Sequence, residues 1–184
     1  MTNRKPKFTL SVVIRIVVWV LMLVGGAAAG IWPDLAFFPH LFANPWWHLG
    51  SLVSGVLLLR LVFRMSRVTG RTLARHGREG DLPRMETNRL VTSGPYGCMR
   101  HPMHLGLLFF PWAVALLVGS PSFVLFVAPL EMVVMVILVL TLEEWEVARK
   151  FGEDYQTYRR RVPPFNLRPD CLRRLLGLDA AEGR

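Results

Sequence analysis

The chain has 184 residues, 52% apolar and 19% charged, with 22 Lys+Arg against 13 Asp+Glu for a formal charge of +9. That length predicts one domain, and a mean hydropathy of +0.36 excludes a disordered tail, a collagen-like repeat and an ordinary soluble domain. A basic balance commonly points to nucleic acid or an anionic surface, but here apolar and basic residues fall in separate blocks.

Residues 10–32 are the first block, a run of 23 broken only by Ser11 and Arg15. At ~1.5 Å per residue it is long enough to cross a hydrocarbon core of ~30 Å. Arg15 lies near its start, where a long side chain can snorkel toward headgroups. Arg4, Lys5 and Lys7 ahead of the run imitate a secretory signal, yet the run exceeds the roughly 7–15 apolar residues of such segments. Residues 45–63 form a second span, opened by the interfacial pair Trp46 and Trp47 and carrying Arg60 near its end. Residues 104–118 form a short third span and residues 123–142 a fourth. Only Gly119-Ser120-Pro121-Ser122 separates these two, so they predict an antiparallel hairpin.

The expected architecture is therefore all-α and polytopic, with about four transmembrane helices in a single integral-membrane domain over residues 1–184. Residues 1–63 hold two N-terminal spans, 64–103 a cytoplasmic loop, 104–142 the hairpin and 143–184 a cytoplasmic tail. Three basic residues precede the first span, eight lie in residues 64–100 and nine in residues 149–184, whereas residues 33–44 and the hairpin turn have none. This asymmetry puts both termini on the cytoplasmic side of a multi-pass protein. Nothing resembles a helix-turn-helix, a zinc finger or an aromatic stacking platform, so no nucleic-acid partner is expected. Gly26 with Gly30, Gly50 with Ser54, and Ser51 with Gly55 have the small-xxx-small spacing of close helix packing. Cys98 and Cys171 fall in cytoplasmic segments, where a disulfide is not expected, and no CxxC or HExxH pattern supports a metal site.

The segment before the third span carries Gly94-Pro95-Tyr96-Gly97 and then Arg100-His101-Pro102. Its X-Pro turns and glycines hold cationic and backbone donors at a helix entrance. After the fourth span come Glu143-Glu144 and, further on, Tyr155 and Tyr158. A hairpin with both free ends on one side brings Arg100-His101 close to Glu143-Glu144. The resulting mouth has cations on one wall and carboxylates on the other, which suits a small zwitterion meeting a membrane-dissolved molecule.

These residues resemble those of integral-membrane methyltransferases related to isoprenylcysteine carboxyl methyltransferase and the phospholipid N-methyltransferases. The shared marks are LVTxGPY at residues 90–96, RHPxxxG at 100–106, Glu143-Glu144, FGxxYxxY at 151–158 and Val162-Pro163. The resemblance implies S-adenosylmethionine at the cytoplasmic mouth of the hairpin and an apolar tunnel for a lipid-like substrate. It implies cofactor binding by Arg100, His101, Pro102, His104, Leu105, Gly106, Glu143, Glu144 and Tyr155. His104 stands where the family usually has Tyr, and residues 137–142 lack the arginine that prenylcysteine enzymes have just before the acidic cluster.

Methyl transfer is a direct displacement that asks the protein mainly for alignment and exclusion of water. A base is needed only for an acceptor that arrives protonated, and Glu144, His101 and Glu131 are the candidates. Glu131 stands out because an ionisable group within a span is costly and faces a cavity or a partner. Tyr155 and Tyr158 also fit interfacial anchors, and Arg159-Arg160-Arg161 fits a solvated or anionic-lipid-facing patch. The expected function is a membrane methyltransferase acting on a phospholipid amine, a carboxylate or a thiol. An NADPH-dependent reductase of sterol-reductase type has a similar tail, but its 2′-phosphate asks for arginines where Glu143 and Glu144 stand; a non-catalytic membrane protein is the remaining alternative.

Overall fold

The computed structural model describes residues 10–81 and 87–178, residues 10–15 by backbone alone. The basic residues Arg4, Lys5, Lys7, Arg84 and Arg184, which entered the orientation argument, lie outside the described residues. Every regular element among the described residues is helical. Helix α1, Leu10–Phe37, and the short α2, Pro39–Phe42, lead into α3, Pro45–His76. Asn44 starts α3 by accepting a hydrogen bond from the Trp46 amide at 2.9 Å, with Pro45 at the first helical position.

The first half of the expected hairpin is two helices, α4, Pro102–Leu107, and α5, Phe110–Val118. The break between them follows from Pro111, which has no N–H to offer the Leu107 carbonyl. Gly119, at φ +73°, turns the chain. A helical run, Phe123–Arg161, then contains α6, Ala128–Leu138, between the π-helical turns Phe123–Val127 and Val139–Glu143, and continues as α7, Glu144–Arg161. The chain closes with α8, Pro169–Leu175.

Three helices, Ile16–Phe37, Pro45–His76 and Phe123–Arg161, are long and apolar enough to cross a membrane, and Pro102–Val118 is a shorter apolar stretch. Their outward faces carry exposed Leu21, Trp32, Leu57, Leu130 and Ile137, apolar surface that suits a bilayer interior. The fold is thus that of an all-helical polytopic membrane protein. Helix α3 runs well past residue 63, because residues 64–76 contain no proline and only one glycine to stop it.

Helices meet through small residues. A Cβ on Gly55 would come within 2.9 Å of the Leu117 amide, and one on Gly106 within 3.1 Å of the Met65 Cβ, so α3 lies tight against α4 and α5. Gly26 and Gly30 of α1 face Phe123. Gly50 meets nothing within 4 Å, so of the two overlapping pairs on α3 it is Ser51 with Gly55 that packs. The two ends of the bundle are fastened differently. At one end Asp34 accepts the Ser122 amide at 2.6 Å and Trp47 donates to the Gly119 carbonyl at 2.8 Å. At the other, α8 docks through buried Cys171 and Leu175 onto Met65, Met99 and Leu105.

This docking overturns the expectation of two free thiols: Cys98 and Cys171 are joined as a disulfide, their Cα atoms 5.6 Å apart. Residue spacing gives no sign of this pairing; the packing of Leu175 and Cys171 in one cluster with Met99 brings the two sulfurs together.

Candidate functional site

The site is assembled where the chain enters α4. Gly94, at φ +60°, opens a 3₁₀ turn, Gly94–Gly97, and Pro102 occupies the first position of α4, with His101 just before it making no side-chain cap. Between them, the backbone amides of Arg100 and His101 donate to the Pro163 and Pro164 carbonyls at 2.9 and 3.1 Å. The Tyr158 hydroxyl donates to the Tyr96 carbonyl at 2.5 Å. The loop bearing Arg100-His101 is therefore pinned by the last turn of α7 and the segment that follows it.

The acidic pair enters from the opposite side. The π turn Val139–Glu143 accommodates one more residue than an α turn and so rotates the following helix by ~100°. Adjacent side chains on a helix point ~100° apart, and the two carboxylates find different partners. Glu143 Oε1 lies 3.3 Å from His104 Nε2. Glu144 Oε1 lies 3.0 Å from Arg100 Nε and 2.7 Å from His101 Nε2, while its Oε2 is 3.4 Å from Arg159 Nε.

Arg159 is fifteen residues beyond Glu144, ~22 Å along a straight helix. It reaches Glu144 because Gly152, at φ 54° and ψ −128°, bends the run back on itself. Arg159, expected from sequence in a solvated or anionic-lipid-facing patch, instead makes this contact, with its side chain 49% exposed. The available signal was the glycine of the FGxxYxxY stretch, a residue that weakens a helix interior unless a bend is wanted. The Arg159 carbonyl also accepts from Arg100 Nη1 at 3.2 Å.

The side chains of Arg100, His101 and Glu144 are each under 9% exposed, so their charges have to compensate one another. Burial pushes the His101 pKa below the ordinary histidine range; the Glu144 carboxylate opposes this shift, and His104 and Arg100 reinforce it. His101 is thus neutral at pH 7 and donates its Nε2–H to Glu144. Not all of the hydrogen-bonding capacity is used. Arg100 Nε and Glu144 Oε2 are held in ion pairs without an aligned hydrogen bond, and the Tyr155 hydroxyl sits beside the Glu144 carboxylate, so a polar ligand entering here exchanges for contacts within the cluster.

Of the residues named from sequence, Arg100, His101 and Glu144 converge directly, and Glu143 with His104 forms a second, half-buried pair beside them. Tyr155 is buried against Tyr158 rather than anchored at a surface. Pro102 shapes the entrance to α4. Leu105 and Gly106 lie elsewhere: Leu105 belongs to the apolar cluster with Met65 and Met135, and Gly106 abuts α3. Glu131 also lies apart, thirteen residues before Glu144 and ~20 Å away along the run, with its Oε1 against Gly26 of α1. Among the described residues, the one grouping with metal-ligand character, Cys98, Asp170 and Cys171, has both sulfurs committed to the disulfide.

Comparison with known proteins adds three findings. A family model described as phospholipid methyltransferase matches residues 51–154, a range that includes Arg100, His101, Glu144 and Gly152. Protein-S-isoprenylcysteine O-methyltransferase B of Arabidopsis thaliana is 26% identical over 137 residues, covering 71% of this chain and 64% of that protein, so the chain spans less than two thirds of its length. No solved structure matches.

Proposed function

Because the chain belongs to the phospholipid methyltransferase family, as the match over residues 51–154 shows, we propose that it is a membrane methyltransferase using S-adenosylmethionine to methylate a lipidic or small hydrophobic acceptor. The observation that carries this reading is the buried Glu144 carboxylate at the end of an apolar helical run, held through Oε1 by Arg100 and His101 and through Oε2 by Arg159.

The donor set fits the cofactor chemically. Glu144 and Glu143 match an α-ammonium group, and Arg100, Arg159 and the Tyr155 hydroxyl match a carboxylate. S-adenosylmethionine, when bound, supplies an electrophilic methyl on a sulfonium, whose leaving group is a neutral thioether. The chain's own residues then have to bind, orient and exclude water. His101, neutral and buried, is the group suited to take a proton at Nδ1 from an acceptor that arrives protonated, with Glu144 at Nε2 stabilising the imidazolium. Glu131 is too distant to share that task. The acceptor class stays a phospholipid amine, a carboxylate or a thiol, and the lack of an arginine in residues 137–142 weighs against a prenylcysteine carboxylate among these. The concentration of arginines at this end supports placing it, with both termini, in the cytoplasm.

Calorimetric titration of the detergent-purified chain tests the proposal. S-adenosylmethionine and its demethylated product should both bind, and NADPH should not. Binding of NADPH with no response to the other two would refute it.

A further inference from the structure

A second polar site lies on the other side of the Gly94-Pro95 turn. On α3, Arg60, Arg64, Arg67, Arg71 and Arg75 recur at intervals of four or three, a spacing that places them along one helix face. Helix α3 contains no acidic residue. The end of α8 comes down on this face: Arg64 Nε donates to the Leu176 carbonyl at 2.8 Å, and a Cβ on Gly177 would come within 3.0 Å of Val68. Between the two helices and the turn is a groove of about 620 Å³. Arg71, Arg75, His76 and Arg174 supply its polar wall and Val68 and Pro95 its apolar one, and no carboxylate among the described residues lines it. Among the described residues, Arg71 and Arg75 have no ion-pair partner.

We propose that this groove binds the phosphate-bearing headgroup of an anionic phospholipid. Guanidinium forks match phosphate oxygens in pairs. The groove is far roomier than a bare phosphate requires and has an apolar side for the glycerol end of a lipid. Its height agrees: Arg71 stands eight residues past the apolar stretch of α3, ~12 Å along the axis, from which a long side chain reaches back toward the headgroup layer. Basic pockets beside membrane helices recognise anionic headgroups by this chemistry. The site shares no lining residue with the Glu144 pair and does not depend on methyl transfer. Its wall is nevertheless the turn whose Tyr96 carbonyl receives Tyr158, so a lipid held there braces the loop that carries Arg100.

The test is lipid retention by the detergent-purified full chain, measured by native mass spectrometry with added phosphatidylglycerol, phosphatidylcholine or inorganic phosphate. Phosphatidylglycerol should be retained and phosphatidylcholine should not. The double variant Arg71→Gln/Arg75→Gln should weaken retention about thirty-fold, from about 1 kcal/mol per basic residue. The double lysine variant at the same positions, which keeps the charges, should retain most of the binding, and exposed Arg160→Gln should change nothing. Equal retention of phosphatidylcholine, or unchanged retention in the glutamine variant, would overturn the proposal. So would equal losses in the lysine and glutamine variants, and inorganic phosphate displacing the lipid at equal concentration would assign the groove to a free anion.

Discussion

Glu144 and Arg159 belong to one helical run, yet Glu144 Oε2 and Arg159 Nε stand 3.4 Å apart. The contact exists because Gly152 adopts φ 54° and ψ −128°, a region essentially restricted to glycine. A Cβ there would meet nothing within 4 Å, so a substitution is penalised by backbone conformation alone. Gly152→Ala should lower stability by roughly 1–3 kcal/mol and weaken cofactor binding as Arg159 moves away. Gly25 also has open space around it but lies inside α1, so Gly25→Ala should be neutral or slightly stabilising. Denaturation of both variants in detergent checks the contrast; equal losses would show that the bend is not what Gly152 contributes.

Truncating Glu144 leaves two buried donors facing each other without their acceptor. Glu144→Ala should cost roughly 3–5 kcal/mol and abolish S-adenosylmethionine binding in calorimetry. Arg160 is exposed, and its side chain reaches only Thr157. Arg160→Ala should therefore stay within about 0.5 kcal/mol of the parent and bind normally. Comparable loss of binding in both would place the site elsewhere.

Acid should act through His101. Its folded-state pKa lies below the ordinary value of 6.5 because burial disfavours the imidazolium. The unfolded chain therefore binds the proton first as pH falls, and the stability contributed by neutral His101 is complete above pH ~6.5. It declines as pH drops from there toward the folded-state pKa and levels off below it. Melting temperatures between pH 8 and pH 5 should fall over that window, and His101→Gln should flatten this part of the profile. An unchanged slope in the variant would exclude His101 as the responsible group.

Orientation is open to direct labelling because both native cysteines are engaged in the disulfide. Cysteines introduced at exposed Ala43 and Asp81 flank α3. A membrane-impermeant maleimide should modify Ala43→Cys in intact cells, and Asp81→Cys only after permeabilisation; the reverse pattern would invert the proposed topology.

Much of this arrangement is legible from residue patterns. Hydropathy locates the spans, the four-residue turn dictates the hairpin, and the hairpin brings Arg100-His101 to Glu143-Glu144. What escapes is set by single backbone conformations or by tertiary docking. Apolar content marks where lipid ends, but α3 continues through Arg64 and Arg75 because a helix needs no apolar face once it is started and unbroken. The bend at Gly152 depends on one dihedral pair, and the placement of Leu105, Gly106 and Glu131 depends on which faces α1 and α3 cover. Motif membership groups such residues by sequence proximity and cannot separate those that meet a ligand from those that hold the helix bearing them.

The Cys98–Cys171 bond spans 73 residues, and Arg100, His101, His104, Glu143, Glu144, Tyr155 and Arg159 all fall within that interval. The polar machinery is therefore a covalent macrocycle from which α1 and α3 are excluded. A single peptide cleavage between the two cysteines opens this ring into a linear chain but releases neither wall of the mouth, so the cationic and acidic arms stay attached through sulfur even when the backbone joining them is severed.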